Sequence, residues 1–246
     1  MKNTKYRKWP FIMGSLCLLA AAAVFMSNYS EDQAAGEQAK DVLKEIHAAT
    51  SMTVFIPTTT QDPTAEQTRD VLQKAPDIPR NNERIVPDYI LNPGMEMPTI
   101  EIDGNLYVGT LLFPALDLDL PVMSNWSYQG LKISPCIYSG SIYNGNAVIA
   151  AHNYVSHFGR ISVLEPGDTV YFTDVDGNVF RYEIIVQEVL APTAITEMID
   201  SRADLTLFTC TISGSSRFTL RCKLIEPPYS FITNVSRADR DGKASS

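Results

Sequence analysis

The sequence predicts a mainly β fold, a closed barrel or a sandwich of about eight strands, on three observations. Short runs alternating apolar and polar residues recur from Thr99 to Ile225, which is the period of half-buried strands. Gly, Asn, Asp and Ser turn signals separate them, most clearly Asp176-Gly177, a strong hairpin signal. Helical patterns between the runs are few, as in all-β barrels and sandwiches.

Four domains follow in order. Residues 1–30 hold Lys2, Lys5, Arg7 and Lys8 ahead of an uncharged apolar run, Phe11 to Met26. That run is short for a span and slightly long for a signal-peptide core. The expectation is an uncleaved signal-anchor, basic end inside and the rest outside. Residues 31–90 read as stalk and linker. Val42, Leu43, Ile46 and the neighbouring alanines give a weak helical stripe, and prolines then break any pattern at 57–64 and 74–84. Residues 91–230 form the barrel and 231–246 a polar tail.

Within the barrel domain, Thr99 to Gly104 alternates into a turn, Leu106 to Phe113 is a second strand, and Leu116 to Val122 alternates with Asp117 and Asp119. Lys132 to Tyr138 reads as the next strand. The apolar continuity of Ala147 to Ala151 predicts a strand covered on both faces. Asp168 to Phe172 and Val179 to Val186 flank the Asp-Gly turn, and Leu205 to Cys210 and Arg217 to Ile225 complete the set. In the last strand Phe218, Leu220, Cys222 and Leu224 share one face, which makes Cys222 a core residue.

The hydrophobic content of 45% suits a packed core and names no function. Removing the four N-terminal basic residues from the formal charge of −8 leaves −12 for the remainder, which argues against a nucleic-acid partner. The cysteines at 17, 136, 210 and 222 form no disulfide framework. Cys136 and Cys222 are either paired, if their strands meet, or buried and free. His47 reads as a solvated helix position. His157 reads as a loop histidine, since no Cys, Asp or Glu stands beside it in 153–159 to build a metal site. Asp117, Asp119, Asp174 and Asp176 read as solvated residues, and no metal or cofactor is expected.

One constellation carries chemistry. Cys210 ends a strand, the turn Thr211 to Ser216 follows, and Arg217 opens the next strand, so both groups reach one end of a hairpin. His152 ends the Ala147–Ala151 run and is the plausible base upstream. Taken on these residues alone, Cys210 is as readily a buried thiol as a nucleophile. Thr206-Leu207-Phe208-Thr209-Cys210, with His152 about 60 residues earlier and Arg217 after it, resembles the sortases. These are the transpeptidases that anchor surface proteins to the Gram-positive cell wall, and the resemblance covers about Met97 to Glu226.

The resemblance selects an eight-stranded barrel and implies a catalytic set of Cys210, His152 and Arg217. It implies cleavage of a sorting signal of the Leu-Pro-x-Thr-Gly or Asn-Pro-x-Thr-Gly kind through a thioacyl-enzyme. The acyl group would pass to an amine of a cell-wall precursor or of another protein, such as a pilin lysine. The extracellular catalytic domain would be held by a single-pass anchor. Asn153 resembles one branch of the family and Asp88-Tyr89 the aspartate-aromatic lid of pilus-building members, while Val186 to Ala203 is too short for a long helix. Wall anchoring is expected ahead of pilus assembly. Two further readings stay open: a secreted cysteine peptidase that gives the acyl group to water, and a non-catalytic tethered barrel.

Overall fold

The computed structural model describes residues 9–50 and 87–226. Nine strands form one sheet: β1 (Ile100–Ile102), β2 (Asn105–Phe113), β3 (Leu118–Met123), β4 (Cys136–Ser139), β5 (Ala147–Ala150), β6 (Thr169–Asp174), β7 (Val179–Leu190), β8 (Leu205–Cys210) and β9 (Arg217–Glu226). Their order is β1-β2-β3-β4-β5-β8-β9-β7-β6, and β6 returns to β2. Eight strands therefore close on themselves and β1 is a short addition to β2. The expected closed barrel is present. Leu111, Phe113, Phe172, Ile184, Leu207 and Leu220 fill its interior, each with 0% exposure.

Two pairings are parallel, β3 with β4 and β5 with β8. Parallel neighbours need a crossover. A one-and-a-half-turn helix after β3, Tyr128–Ile133, serves the first, and the whole β6–β7 excursion serves the second. All four residues of β5 are buried, as their apolar continuity predicts.

Gly109 marks where β2 shifts register against β3 and lies against β6. With φ +156° there, an added Cβ would lie 2.0 Å from the Thr173 carbonyl oxygen, so only glycine lets the two strands meet. At the β6–β7 hairpin Asp174 accepts from the backbone N–H of Asp176 and Asn178, from the Asn178 amide and from the Tyr143 hydroxyl. It is 1% exposed, so this aspartate closes a turn from inside rather than being solvated.

Among the described residues four α-helices accompany the barrel: α1 (Trp9–Thr50), α2 (Asp88–Leu91), α3 (Tyr128–Ile133) and α4 (Ile195–Ile199). α1 is continuous, about 63 Å long at 1.5 Å per residue. Its first half is exposed and apolar, with an uncharged window of mean hydropathy 2.0. Its second half buries Ala35, Ala39, Val42, Leu43 and Ile46, one helical stripe that packs on β3, α3 and β1. Residues 31–49 are thus a buttress on the barrel rather than a free stalk. His47 is half-buried, its Nε2 3.8 Å from Asp119 Oδ2, and burial pushes the Asp119 carboxyl up while His47 draws it down. Neither is simply solvated, because helix and strand shield each other.

A second expectation also changes. Lys132 and Ile133 are the end of α3, not the start of a strand; β4 begins at Cys136. The Ser127 side chain caps α3 by accepting from Gly130 N–H at 2.8 Å, and Pro135 prevents its continuation. The basic N-terminus, the linker over 51–86 and the tail from Pro227 lie outside the described residues.

Gly109→Ala should lower stability by about 3 kcal/mol, among the larger single-residue effects, because its Cβ has no space. Urea unfolding followed by tryptophan fluorescence checks this; an unchanged midpoint would mean that β2 and β6 separate easily.

Candidate active site

The parallel ladder pairs Ala147 with Leu205, Val148 with Thr206, Ile149 with Leu207 and Ala150 with Phe208. It extends past the end of β5: Ala151 N–H donates to the Phe208 carbonyl at 3.1 Å, and the Thr209 hydroxyl donates to the Ala151 carbonyl at 2.9 Å. Two residues beyond the Ala150–Phe208 pair, the neighbouring chain ends carry His152 and Cys210. On the other side of β8, Cys210 pairs with Arg217 of β9. Three adjacent segments thus carry imidazole, thiol and guanidinium to one rim.

The environments of the three differ. Cys210 is exposed, whereas Cys136 and Cys222 have 0% exposure. Burial pushes the Cys136 thiol up to about 11 and the Cys222 thiol further still. Both are free. They lie in separate apolar clusters, Cys136 with Tyr107 and Met123 and Cys222 with Leu205 and Ile184, so the alternative of a disulfide between them fails.

His152 is half-buried, and its ring stacks on Tyr154 with centroids 3.8 Å apart and planes 19° apart. Burial holds its pKa below the ordinary value; Asn153, Glu31 and Asp32 draw it up and Lys132 pushes it down. A neutral imidazole is thereby favoured. His157, 0% exposed, is pushed down to about 4 by burial and then by His152. It is a core histidine of the loop rather than a ligand.

Arg217 Nη1 donates to the carbonyls of Gly214 at 3.2 Å and Ser216 at 3.1 Å, so the guanidinium braces the turn that frames Cys210. Arg221 lies elsewhere. It pairs with Thr206, four residues before Cys210, and is 7% exposed. Its Nε meets Glu188 at 2.6 Å, Nη1 reaches the Thr206 hydroxyl and Met198 carbonyl, and Nη2 the Glu197 carbonyl. Arg221 thus pins α4 to β8 and is a structural cation.

Other site features escape the sequence reading. Phe208, two residues before Cys210 on the same strand face, opens a ladder of edge-to-face aromatics through Tyr138, Trp126 and Tyr128, with centroids 5.3, 5.8 and 4.9 Å apart. Strand alternation from Cys210 could have found Phe208. Glu31 and Asp32 of α1 reach the loop after His152, which no local signal announces. Tyr89, compared above with a lid aromatic, is 8% exposed, stacks on Tyr143 at 4.5 Å and tilts against Phe180; that is core packing.

Residues 111–225 match the family model of the Sortase domain, and the chain carries a sortase domain. A sortase D5 transpeptidase of Clostridium perfringens is similar in fold at 18% identity, covering 77% of this chain and 99% of that one with TM-score 0.49. Sortase C-1 of Streptococcus pneumoniae is 26% identical over 52% of this chain and 70% of that one, TM-score 0.44. Sortase C1 of GBS Pilus Island 1 is 22% identical over 49% of this chain, TM-score 0.44, and the match spans 64% of that protein. No curated protein matches the chain.

Two outcomes follow. Iodoacetamide on the folded protein should label Cys210 and leave Cys136 and Cys222 unmodified until denaturant is added; mass mapping keeps Cys17 apart, and early labelling of Cys222 would contradict its burial. Buried His157 should also make stability acid-sensitive. Its pKa is about 4 folded against 6.5 as a free group, so the unfolded chain binds the proton first. Stability is complete above pH 6.5 and falls as pH drops toward 4, by about 3 kcal/mol at the limit. Urea midpoints across that window should fall less steeply for His157→Gln than for the native protein.

Proposed function

We propose that the protein is a membrane-anchored cysteine transpeptidase of the sortase type, with Cys210 as nucleophile, His152 as general base and acid, and Arg217 as the cationic donor. The observation that supports this reading is the parallel β5–β8 register, whose two strands end together just before His152 and Cys210, within the stretch that matches the Sortase domain. His152 takes the Cys210 proton as sulfur attacks the carbonyl carbon of the scissile peptide bond. Arg217 faces the oxygen that gains negative charge, its fork suited to a developing oxyanion. As the tetrahedral intermediate collapses, the C–N bond breaks and the imidazolium gives its proton to the departing amine. A thioester on Cys210 remains. A second amine attacks it, loses its proton to His152, and sulfur leaves to recover that proton as thiol.

The substrates are surface proteins bearing a sorting signal, and the acceptor is an amine of a cell-wall precursor or a pilin lysine, with wall anchoring favoured. Neither a cofactor nor a metal enters the mechanism. The aromatic ladder from Phe208 to Tyr128 gives the peptide an apolar platform next to the thiol. The first half of α1 serves as a single-pass anchor, with the barrel outside. Because α1 is unbroken from Met26 to Asp32, the His152 rim stands about 9 Å along the helix axis from the apolar run. Residues 1–30 are then anchor, 31–90 buttress and linker, 91–230 catalytic barrel, and 231–246 tail.

The test combines a fluorogenic sorting peptide with oligoglycine. Ligated product is expected from the native protein, and hydrolysed product alone would make it a peptidase. Cys210→Ala should abolish both thioester and product with the barrel folded, and His152→Ala should be nearly as damaging. Arg217→Lys should lose about 10²–10³ in kcat, the loss typical of a removed oxyanion donor. Full turnover by Cys210→Ala would end the reading.

A further inference from the structure

The loop that follows β5 is held by a helix more than a hundred residues away in sequence. Asp32 Oδ1 accepts from Ser156 N–H at 2.9 Å and Oδ2 from Val155 N–H at 3.1 Å, while the Ser156 hydroxyl donates to the Asp32 carbonyl at 3.0 Å. One residue earlier, Glu31 Oε2 accepts from the Tyr154 hydroxyl at 2.9 Å and lies 3.9 Å from Lys132 Nζ of α3. Tyr154 is the ring on which His152 stacks. Gly36 lets the loop approach α1 closely, since a Cβ there would stand 2.9 Å from Ser156 Cβ. Within the loop itself the Phe158 N–H holds the His152 backbone, donating to its carbonyl at 3.2 Å. His152 lies beyond the last paired residue of β5, and its Nδ1 is buried with no well-aligned hydrogen-bond partner among the described residues.

We propose that Asp32 and Glu31, at the membrane-proximal end of the barrel-docked half of α1, are positioning residues for His152, acting through the Val155–Ser156 backbone and the Tyr154 ring. The anchor helix is thereby part of the active site and not only a tether. Asp32 carries most of the effect, because it satisfies two successive backbone N–H groups and so fixes the path of the loop. Glu31 sets the tilt of the Tyr154 ring. A displacement near 1 Å of a general base is enough to cost about 10²-fold in rate. This inference rests on the transpeptidase reading for its kinetic consequence but not for its geometry.

The groups acting on His152 are Glu31 and Asp32 from α1, Lys132 from α3, and Asn153, Tyr154 and His157 from its own loop, while the ends of β8 and β9 carry Cys210 and Arg217. Two effects of removing Asp32 oppose each other. Loss of its charge alone would lower the His152 pKa further, whereas release of the loop would hydrate the ring and raise it toward 6.5. The direction of the shift therefore separates positioning from plain electrostatics.

The experiment uses the full chain in detergent micelles and compares native protein with Asp32→Ala, Asp32→Asn, Tyr154→Phe and Ile46→Ala. Ile46, buried in the cluster of Ile102, Tyr107 and Met123 and about 21 Å along the helix from Asp32, reports helix docking. Kinetics with sorting peptide and oligoglycine are read beside an NMR titration of the His152 ring. Asp32→Ala should lower kcat about 10²-fold with KM within twofold, and its His152 should titrate higher, toward 6.5. Asp32→Asn, which keeps an accepting oxygen, should recover part of the rate, and Tyr154→Phe should lose less than Asp32→Ala. Asp32→Ala with kcat within twofold of native overturns the proposal, as does an equal fall in kcat in folded Ile46→Ala. If the native chain transfers nothing, the transpeptidase reading fails instead, and the His152 titration decides alone: a rise in Asp32→Ala supports positioning, and no rise overturns it.

Discussion

The parallel pairing of β5 with β8 is the constraint on which the rest depends. Antiparallel neighbours joined by a tight turn would put the end of one strand at the start of the other. Parallel neighbours end together, and here that brings the residues after Ala150 and Phe208 to one rim. The chain meets the requirement for a long crossover by building β6 and β7 between the two strands, and those strands also close the barrel through β2. Closure and site assembly are therefore one topological fact. The buried side chains of β5 explain why the pairing is firm: with both faces covered, a slip of one residue would exchange Ile149 and Ala150 between core and outer face.

Environment then sorts chemically identical residues into different roles. Three barrel cysteines share a side chain, yet only Cys210 ends a strand at an exposed rim, and desolvation holds the other two thiols protonated. Two histidines lie five residues apart. His157 is fully enclosed, whereas His152 stands half-buried, its charge cost from burial partly offset by acidic side chains. Of the arginines on β9, Arg221 is consumed by four hydrogen bonds, while Arg217 spends one nitrogen on its own turn. The sequence spacing separates these pairs less sharply than burial does.

Most strands were legible because alternation is a local property. Leu205–Cys210 and Arg217 onward stand where period-two patterning puts them, and the Asp176-Gly177 turn is where its dipeptide predicts. The Cys210–Arg217 pairing is legible too, since a six-residue turn leaves the two ends opposite each other. What escaped depends on contacts distant in sequence. α3 looked like a strand because Leu131 and Ile133 are apolar, and its short length gives no helical period to detect. Asp119 and His47 looked solvated because each is covered by an element that only folding brings near. The burial of Arg221 is likewise not local, since nothing near it in sequence shows that α4 will lay its carbonyls over that face.

The docked half of α1 follows the same logic at a larger scale. Its stripe of Ala35, Ala39, Val42, Leu43 and Ile46 is weak by composition because alanines dominate it, yet small side chains are what let a helix lie close to a curved barrel wall. Close approach brings Glu31 and Asp32 within hydrogen-bond reach of the loop that follows β5, adding to the loop's own turn hydrogen bonds. That support comes from outside the barrel, and α1, running unbroken from the apolar segment to β1, is the element that passes there. The placement of the barrel relative to the apolar segment and the proposed positioning of the imidazole thus converge on one helix.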